Sequence, residues 1–220
     1  MSLAPLLVAD RVGRTYRRGV EDVHALVDVS LTLEPGELVV LTGPSGSGKT
    51  TLLNIIAGWE VPDTGSLRWG IEGVDPHAPD WDTLAMAPQR LGLLSELTIA
   101  ENVELPLRLS QVEGRWPDPD RVVTALEVFG LAHLAHRMPW EASIGEQQRA
   151  ALARALVVTP RLLLADEPTG HQDAAWASGV IEGLRKAAAG GSTVLVATHD
   201  EEVIAQAPRQ LALRDGRLVP

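Results

Sequence analysis

The sequence predicts an α/β fold: a mainly parallel sheet, preceded by an antiparallel β portion and interrupted by an inserted helical sub-domain. Three observations predict it. Short apolar runs at 37–42, 162–166 and 193–197 each suit a strand buried on both faces. Beyond residue 145, helical segments alternate with such runs, the order that builds a parallel sheet. Between about 91 and 144 strand signals give way to helical ones. Residues 1–90 and 145–220 are therefore read as the core of a single 1–220 domain, with about 91–144 as the insert.

The elements follow in chain order. Leu6–Val12 and Val27–Leu33 are apolar or alternating and read as strands, with Glu34-Pro35-Gly36 as a turn. Glu37–Thr42 is a buried strand, and Thr51–Gly58 a helix closed by its glycine. Pro62-Asp63-Thr64-Gly65 reads as a turn, Ser66–Trp69 as a short strand, 71–83 as a Pro-rich loop, and Leu84–Ala87 as a strand ending near Gln89. In the insert, Ser95 is suited to cap a helix carrying Ile99, Val103 and Leu107. Asp118-Pro119-Asp120 opens a second, carrying Val122, Val123, Leu126, Val128 and Phe129 and stopped by Gly130. The core resumes with a helix from about Glu146 to Val158 and the strand Leu162–Asp166 after Pro160. A helix over roughly Ala174–Ala189 and the strand Thr193–Ala197 complete it.

Composition narrows the function. The 220 residues are 45% hydrophobic and 22% charged, a globular balance. Net charge is −10 and no basic block extends beyond Arg17-Arg18, so nucleic acid is not an expected partner. Cysteine is absent, which excludes disulfides and thiol catalysis and suits a reducing compartment. No apolar run approaches the ~18 residues that span a bilayer, and the first ten residues lack the basic region of a signal peptide. The expectation is a soluble chain, held at a membrane only through a partner.

Gly-Pro-Ser-Gly-Ser-Gly-Lys-Thr at 43–50 is the pattern G-x-x-x-x-G-K-[ST]. Glycines let the backbone turn tightly and aim N–H groups at phosphate oxygens. Lys49 is a compact charge for β- and γ-phosphates, and the Thr50 hydroxyl suits Mg²⁺. Lysine occurs elsewhere only at 186, in a chain whose other cations are arginine. An ammonium fits between two phosphates where a planar guanidinium does not. With a strand before it and a helix after it, this loop predicts a nucleoside-triphosphate site in a phosphate-loop NTPase core.

Two further strands end in polar groups. Leu162–Ala165 leads to Asp166 and Glu167, and a carboxylate pair at a buried strand end is suited to organising Mg²⁺ and to activating a water. On its own such a pair is an ordinary solvated strand end; downstream of a phosphate loop it reads as the second half of the site. Thr193–Ala197 likewise leads to Thr198-His199-Asp200; a lone histidine at a strand end is ordinarily structural, but at the same sheet edge as the loop and the acids His199 is suited to donate to a γ-phosphate.

These residues together resemble the ATP-binding subunits of ABC transporters over nearly the whole chain, about Leu6 to Leu218. The resemblance is carried by the loop at 43–50, Gln89 in Ala-Pro-Gln-Arg, Ser143-Ile144-Gly145-Glu146-Gln147-Gln148-Arg149, Asp166-Glu167-Pro168-Thr169-Gly170, Asp173 and Thr198-His199-Asp200. Leu-Leu-Asn-Ile-Ile-Ala-Gly after the loop and Leu-Thr-Ile-Ala-Glu-Asn-Val-Glu-Leu-Pro-Leu at 97–107 are similar to the lipoprotein-release and macrolide-export branch.

The resemblance implies the following roles. ATP would be held by Gly43, Pro44, Ser45, Gly46, Ser47, Gly48, Lys49, Thr50, Thr51 and Asp166, with Tyr16 stacked on adenine. Ser143, Gly145 and Glu146 would form the signature that meets ATP bound on a second subunit. Mg²⁺ would be held by Thr50, Gln89 and, through water, Asp166. Glu167 would be the general base, His199 a γ-phosphate contact, Gln89 a contact to the attacking water, and Asp173 part of a dimer-crossing loop. It implies a homodimer or heterodimer of ATPases driving a membrane permease from the cytoplasmic face, the permease helix docking near Arg90–Leu107. The separate permease would be powered by ATP-driven dimer closure, with hydrolysis reopening the dimer. A non-transport module and a regulatory ATPase of low turnover remain as alternatives.

The chain departs from the family pattern at the signature, where Ala142 and Ile144 replace the usual Leu and Gly. Either the backbone at 144 is ordinary and Ile144 points into the helical sub-domain, or the signature is weakened because a β-branched residue resists positive φ beside a phosphate. His171-Gln172 stands where Asn-Leu is common, and the stretch from Gly73 to Leu84 is short for the branch.

Overall fold

The computed structural model describes residues 4–89, 91–109, 119–170 and 174–219, with backbone alone at 174–178. Strands β1 (Leu7–Arg18) and β2 (Glu21–Leu33) form an antiparallel hairpin. Both run further than the apolar pattern indicates. Register shifts at Ala9/Val12, Val12/Arg14 and Arg14/Thr15 break the alternation, and the outer residues pair without an apolar face. β3 (Leu38–Thr42) leads into α1 (Lys49–Ile56), which starts two residues before the expected Thr51. β4 (Thr64–Trp69) pairs with β1, so half of the expected turn 62–65 is strand. β5 is Leu84–Ala87, as expected.

The insert contains α2 (Ile99–Leu109), α3 (Pro119–Val128) and single 3-10 turns at Ala132–Leu134 and Pro139–Glu141. Ser95 does not cap α2; its hydroxyl donates to the Glu96 carboxylate at 2.9 Å. Thr98 takes that place. Its Oγ1 accepts from Glu101 N at 3.2 Å, and Glu101 Oε2 accepts from Thr98 N at 2.8 Å. The acid three residues beyond Thr98 completes a reciprocal cap that Ser95 cannot make.

The core resumes with α4 (Ile144–Leu156), β6 (Leu162–Asp166), α5 (Ala174–Ala189) and β7 (Thr193–Ala197). It closes with α6 (Glu201–Gln206), β8 (Arg209–Arg214) and β9 (Arg217–Val219), which carry no clear sequence signal. The main sheet has the order β5-β6-β7-β3-β8-β9 and is parallel except at β9. A second sheet, β2-β1-β4, is antiparallel.

Strand alternation divides the interior into two apolar layers. Val39, Leu41, Leu162, Leu164 and Leu195 face β1, β2 and α1. Val40, Leu163, Ala165, Val194 and Val196 face α4 and α5, and this layer continues into Ile99, Val103, Leu126 and Phe129 of the insert. Insert and core are thus joined by one continuous apolar layer. Each fully buried Leu, Ile or Val contributes about 1.5–3 kcal/mol.

Candidate active site

Pairing sets three strand ends side by side. Leu41 of β3 and Asp166 of β6 both pair with Ala197 of β7. Whatever follows these residues meets at one edge of the sheet, where ligands of parallel sheets gather.

The loop after β3 needs glycine at two points. Gly43 has φ 150°, and a Cβ there would lie 2.2 Å from the Leu213 carbonyl oxygen. Gly48 has φ 105°, and a Cβ would lie 2.3 Å from the carbonyl oxygen of Ala25. Gly48 leads directly into α1, which has no side-chain cap and no acid in its first turn. The positive end of this helix therefore faces the strand edge uncompensated by its own side chains, an arrangement suited to an anion. Lys49 is buried, its Nζ donating to the carbonyls of Gly43 at 2.8 Å and Pro44 at 3.3 Å.

Thr50 Oγ1 donates to Asp166 Oδ2 at 2.8 Å. Asp166 is 3% exposed. Burial raises its carboxyl pKa and the neighbouring Glu167 charge adds to this, against the Thr50 hydrogen bond and Lys49. Glu167 has φ 50°, a left-handed conformation that costs a non-glycine residue about 1–3 kcal/mol. Several bonds hold it there. Its N–H donates to the Ala197 carbonyl at 2.8 Å, and its own carbonyl accepts from Gln148 Nε2 at 2.7 Å. Thr198 Oγ1 donates to Oε2 at 3.0 Å, and His199 Nδ1 lies 2.8 Å from Oε1. The turn swings the carboxylate across from β6 to the end of β7.

Lys49, Thr50, Thr51, Pro44, Ser45, Gly46, Gly48, Gln89, Asp166, Glu167 and His199 line one cleft of about 470 Å³. Ser47 is buried and does not line it. The donor set fits Mg²⁺. A threonine hydroxyl, a carboxylate and the oxygen of a glutamine amide are hard oxygen ligands, and the 2.8 Å Thr50–Asp166 contact shows that two of them reach one small cation's shell.

Other expected residues do not line this cleft. Tyr16 does not line it. Its hydroxyl bonds to Glu60 and, at 3.4 Å, to Thr51 Oγ1, and the Arg14 guanidinium lies over its ring, 5.1 Å from the centroid. Burial and the Glu60 carboxylate raise the phenol's pKa. Ser143, Gly145 and Glu146 do not line the cleft either. Ser143 caps α4 reciprocally: its Oγ accepts from Glu146 N at 3.3 Å, and Glu146 Oε2 accepts from Ser143 N at 2.8 Å. Ile144 is the first helical residue and has no positive φ. Its side chain is 56% exposed, so it does not point into the sub-domain. Ala142 is buried in the apolar layer. Arg90, His171, Gln172 and Asp173 lie outside the described residues.

Sequence reasoning assigned no role to Val23, His24 and Ala25, which line the cleft, or to Thr198 and Gln148, which hold Glu167. The polar tip of β2 carries no motif. Thr198 and Gln148 stand within quoted motifs, beside residues with stronger chemical signals.

A family profile described as ABC transporter matches residues 26–170. The chain is 40% identical over 224 residues to the macrolide export ATP-binding/permease protein MacB of Burkholderia thailandensis, covering 98% of this chain and 34% of that protein. The Neisseria meningitidis protein of the same name is 36% identical over 222 residues, covering 97% and 34%. The chain thus spans about a third of the length of these relatives, 34% in each. The dimeric ATP-binding cassette MJ0796 in a post-hydrolysis state bound to ADP and Pi superposes with a TM-score of 0.89 at 34% identity, covering 97% of both chains. By family profile, sequence identity and superposition alike, the chain belongs to the ABC transporter family and has the fold of its ATPase cassette.

Proposed function

We propose that this chain binds ATP with Mg²⁺ and hydrolyses it to drive a membrane permease lying outside residues 1–220. The observation that carries the reading is the convergence of Lys49, Thr50, Gln89, Asp166, Glu167 and His199 on one cleft at the positive end of α1. Lys49 and the first turn of α1 hold the β- and γ-phosphates. Thr50, Gln89 and, through water, Asp166 hold the cation. Bound Mg²⁺ supplies neutralisation of charge on the phosphoryl oxygens. Gln89 orients the attacking water, and Glu167 accepts its proton. Among the described residues each Glu167 oxygen is engaged once, by Thr198 or His199, and retains a lone pair for that water. His199, 79% exposed, has a single N–H in its neutral form and donates it to the γ-phosphate by releasing Glu167 Oε1. Tyr16 offers adenine the ring face opposite Arg14.

Ser143, Gly145 and Glu146 lie outside their own chain's cleft, which supports their serving ATP held by a second subunit, identical or related. Closure of two subunits over two ATP molecules would then be the power stroke, and the permease helix would dock between core and helical sub-domain, near residues 90–107. The MacB relatives are named ATP-binding/permease proteins and MJ0796 is described as a dimer, which supports this assembly. A low-turnover regulatory role is the second reading: the helical backbone at Ile144 removes the positive-φ argument for it, while the exposed side chain beside Ser143 keeps the steric one.

The test is Mg²⁺-dependent ATPase activity of the parent and of Glu167→Gln. The variant is expected to bind ATP like the parent and to turn over at least 100-fold more slowly, within the range of general-base catalysis. Parent-like turnover would reject Glu167 as the base.

A further inference from the structure

Gln148 lies on α4, three residues beyond Gly145, and is 6% exposed. Its Nε2 donates to the main-chain carbonyl of Glu167 at 2.7 Å. A carbonyl only accepts, so this contact fixes the orientation of the amide. Its Oε1 is buried without a hydrogen-bond partner among the described residues. Burying an amide with one end unpaired is unfavourable, and an apolar residue would pack in its place without that penalty. What the amide does contribute falls on Glu167, which holds a left-handed φ of 50° that glutamate otherwise avoids. The other bond to the same carbonyl, from Gly170 N, is longer at 3.2 Å.

We propose that Gln148 is a positioning residue, clamping the Glu167 backbone in the turn that carries its carboxylate to Thr198 and His199. The proposal rests on the reading of Glu167 as general base. Gln148 lines no part of the cleft; it acts through the peptide of Glu167. The first turn of α4, with Ser143 and Ile144 exposed, is connected through this bond to the carboxylate. A subunit that engages that turn and shifts α4 therefore also moves the base.

The experiment compares the parent, Gln148→Met, Glu167→Gln and the double variant in steady-state ATPase assays with Mg·ATP. Gln148→Met keeps the volume and removes the donor. Its kcat is expected to fall at least tenfold, while KM and the thermal shift on adding ATP stay within twofold of the parent. In the Glu167→Gln background the same change is expected to slow turnover by less than twofold, because the base it positions is already gone. An unchanged kcat, a rise in KM accounting for the loss, or losses that multiply in the double variant would each overturn the proposal. If Gln148→Met does not fold, Gln148→Asn, whose amide stops one methylene short, is held to the same criteria. A parent that hydrolyses no ATP would remove the base reading and this proposal together; an active parent with an unaffected Met variant overturns the proposal alone.

Discussion

Thr50 and Asp166 share a 2.8 Å hydrogen bond that ties the first turn of α1 to the end of β6. It only partly compensates a buried carboxylate whose pKa is raised, first by burial and then by Glu167. The sign follows. A carboxyl raised above its unfolded value of 3.8 contributes most to stability below that pH and loses the contribution as pH rises. At neutral pH the ionised group opposes folding when no cation is bound. Asp166→Asn is therefore expected to raise the nucleotide-free melting temperature by about 2–4 °C, as ~1 kcal/mol does at this chain length. The same variant should lose the stabilisation given by Mg·ATP, ~2.7 kcal/mol at 100 times Kd in the parent. Scanning fluorimetry with and without Mg·ATP checks both, and a lower nucleotide-free midpoint would contradict the assignment.

Gly48 separates backbone geometry from chemistry in the loop. At φ 105°, with a Cβ 2.3 Å from the Ala25 carbonyl, alanine must move either β2 or the start of α1. Gly48→Ala is expected to cost at least about 2 kcal/mol by denaturant unfolding, from strain and overlap together, and to abolish ATP binding. Gly46 offers the contrast, since a Cβ there meets nothing within 4 Å. Its φ of 80° still penalises alanine, but by about 1 kcal/mol. Equal losses at the two positions would show that overlap with Ala25 is not the cause.

Strands β3, β6 and β7 were legible because each is apolar on both faces, and the groups that matter follow them directly. The outer halves of β1 and β2 were not, because bulges break the alternation and polar residues line both sides. Motifs named Lys49, Asp166, Glu167 and His199, but not the left-handed turn at Glu167 that brings its carboxylate to His199. That turn depends on Gln148 and Ala197, which are 19 and 30 positions away in sequence. The expectation of an inward-pointing Ile144 failed because the residue opens a helix and faces away from the apolar layer.

Ser143 and Glu146 bind one another as the cap of α4, and the Ser143 hydroxyl and N–H lower the Glu146 carboxyl pKa. A depressed acid stabilises the fold above its unfolded pKa, here 4.5, and the contribution disappears as pH falls through the lower folded value. Ser143→Ala is expected to cost about 1 kcal/mol at pH 7. The gap between parent and variant should narrow below pH 4.5, where the Glu146 carboxylate is titrated in the unfolded chain and then in the folded one. Urea unfolding from pH 3 to pH 7 measures it; a gap constant with pH would mean that the hydroxyl acts on the helix alone.

Ile144 tests whether the altered signature limits turnover. Its backbone is already helical, so Ile144→Gly relieves no strain at φ and costs up to about 1 kcal/mol of helix stability. Its side chain is 56% exposed at the start of α4, beside Ser143. ATPase activity of Ile144→Gly, measured where the chain is fully folded, is expected to stay within twofold of the parent. An increase of threefold or more would mean that the isoleucine side chain obstructs the approach of a second subunit's phosphate. The obstruction would then be steric, because glycine at this position changes the space above Ser143 while leaving the helical path of α4 in place.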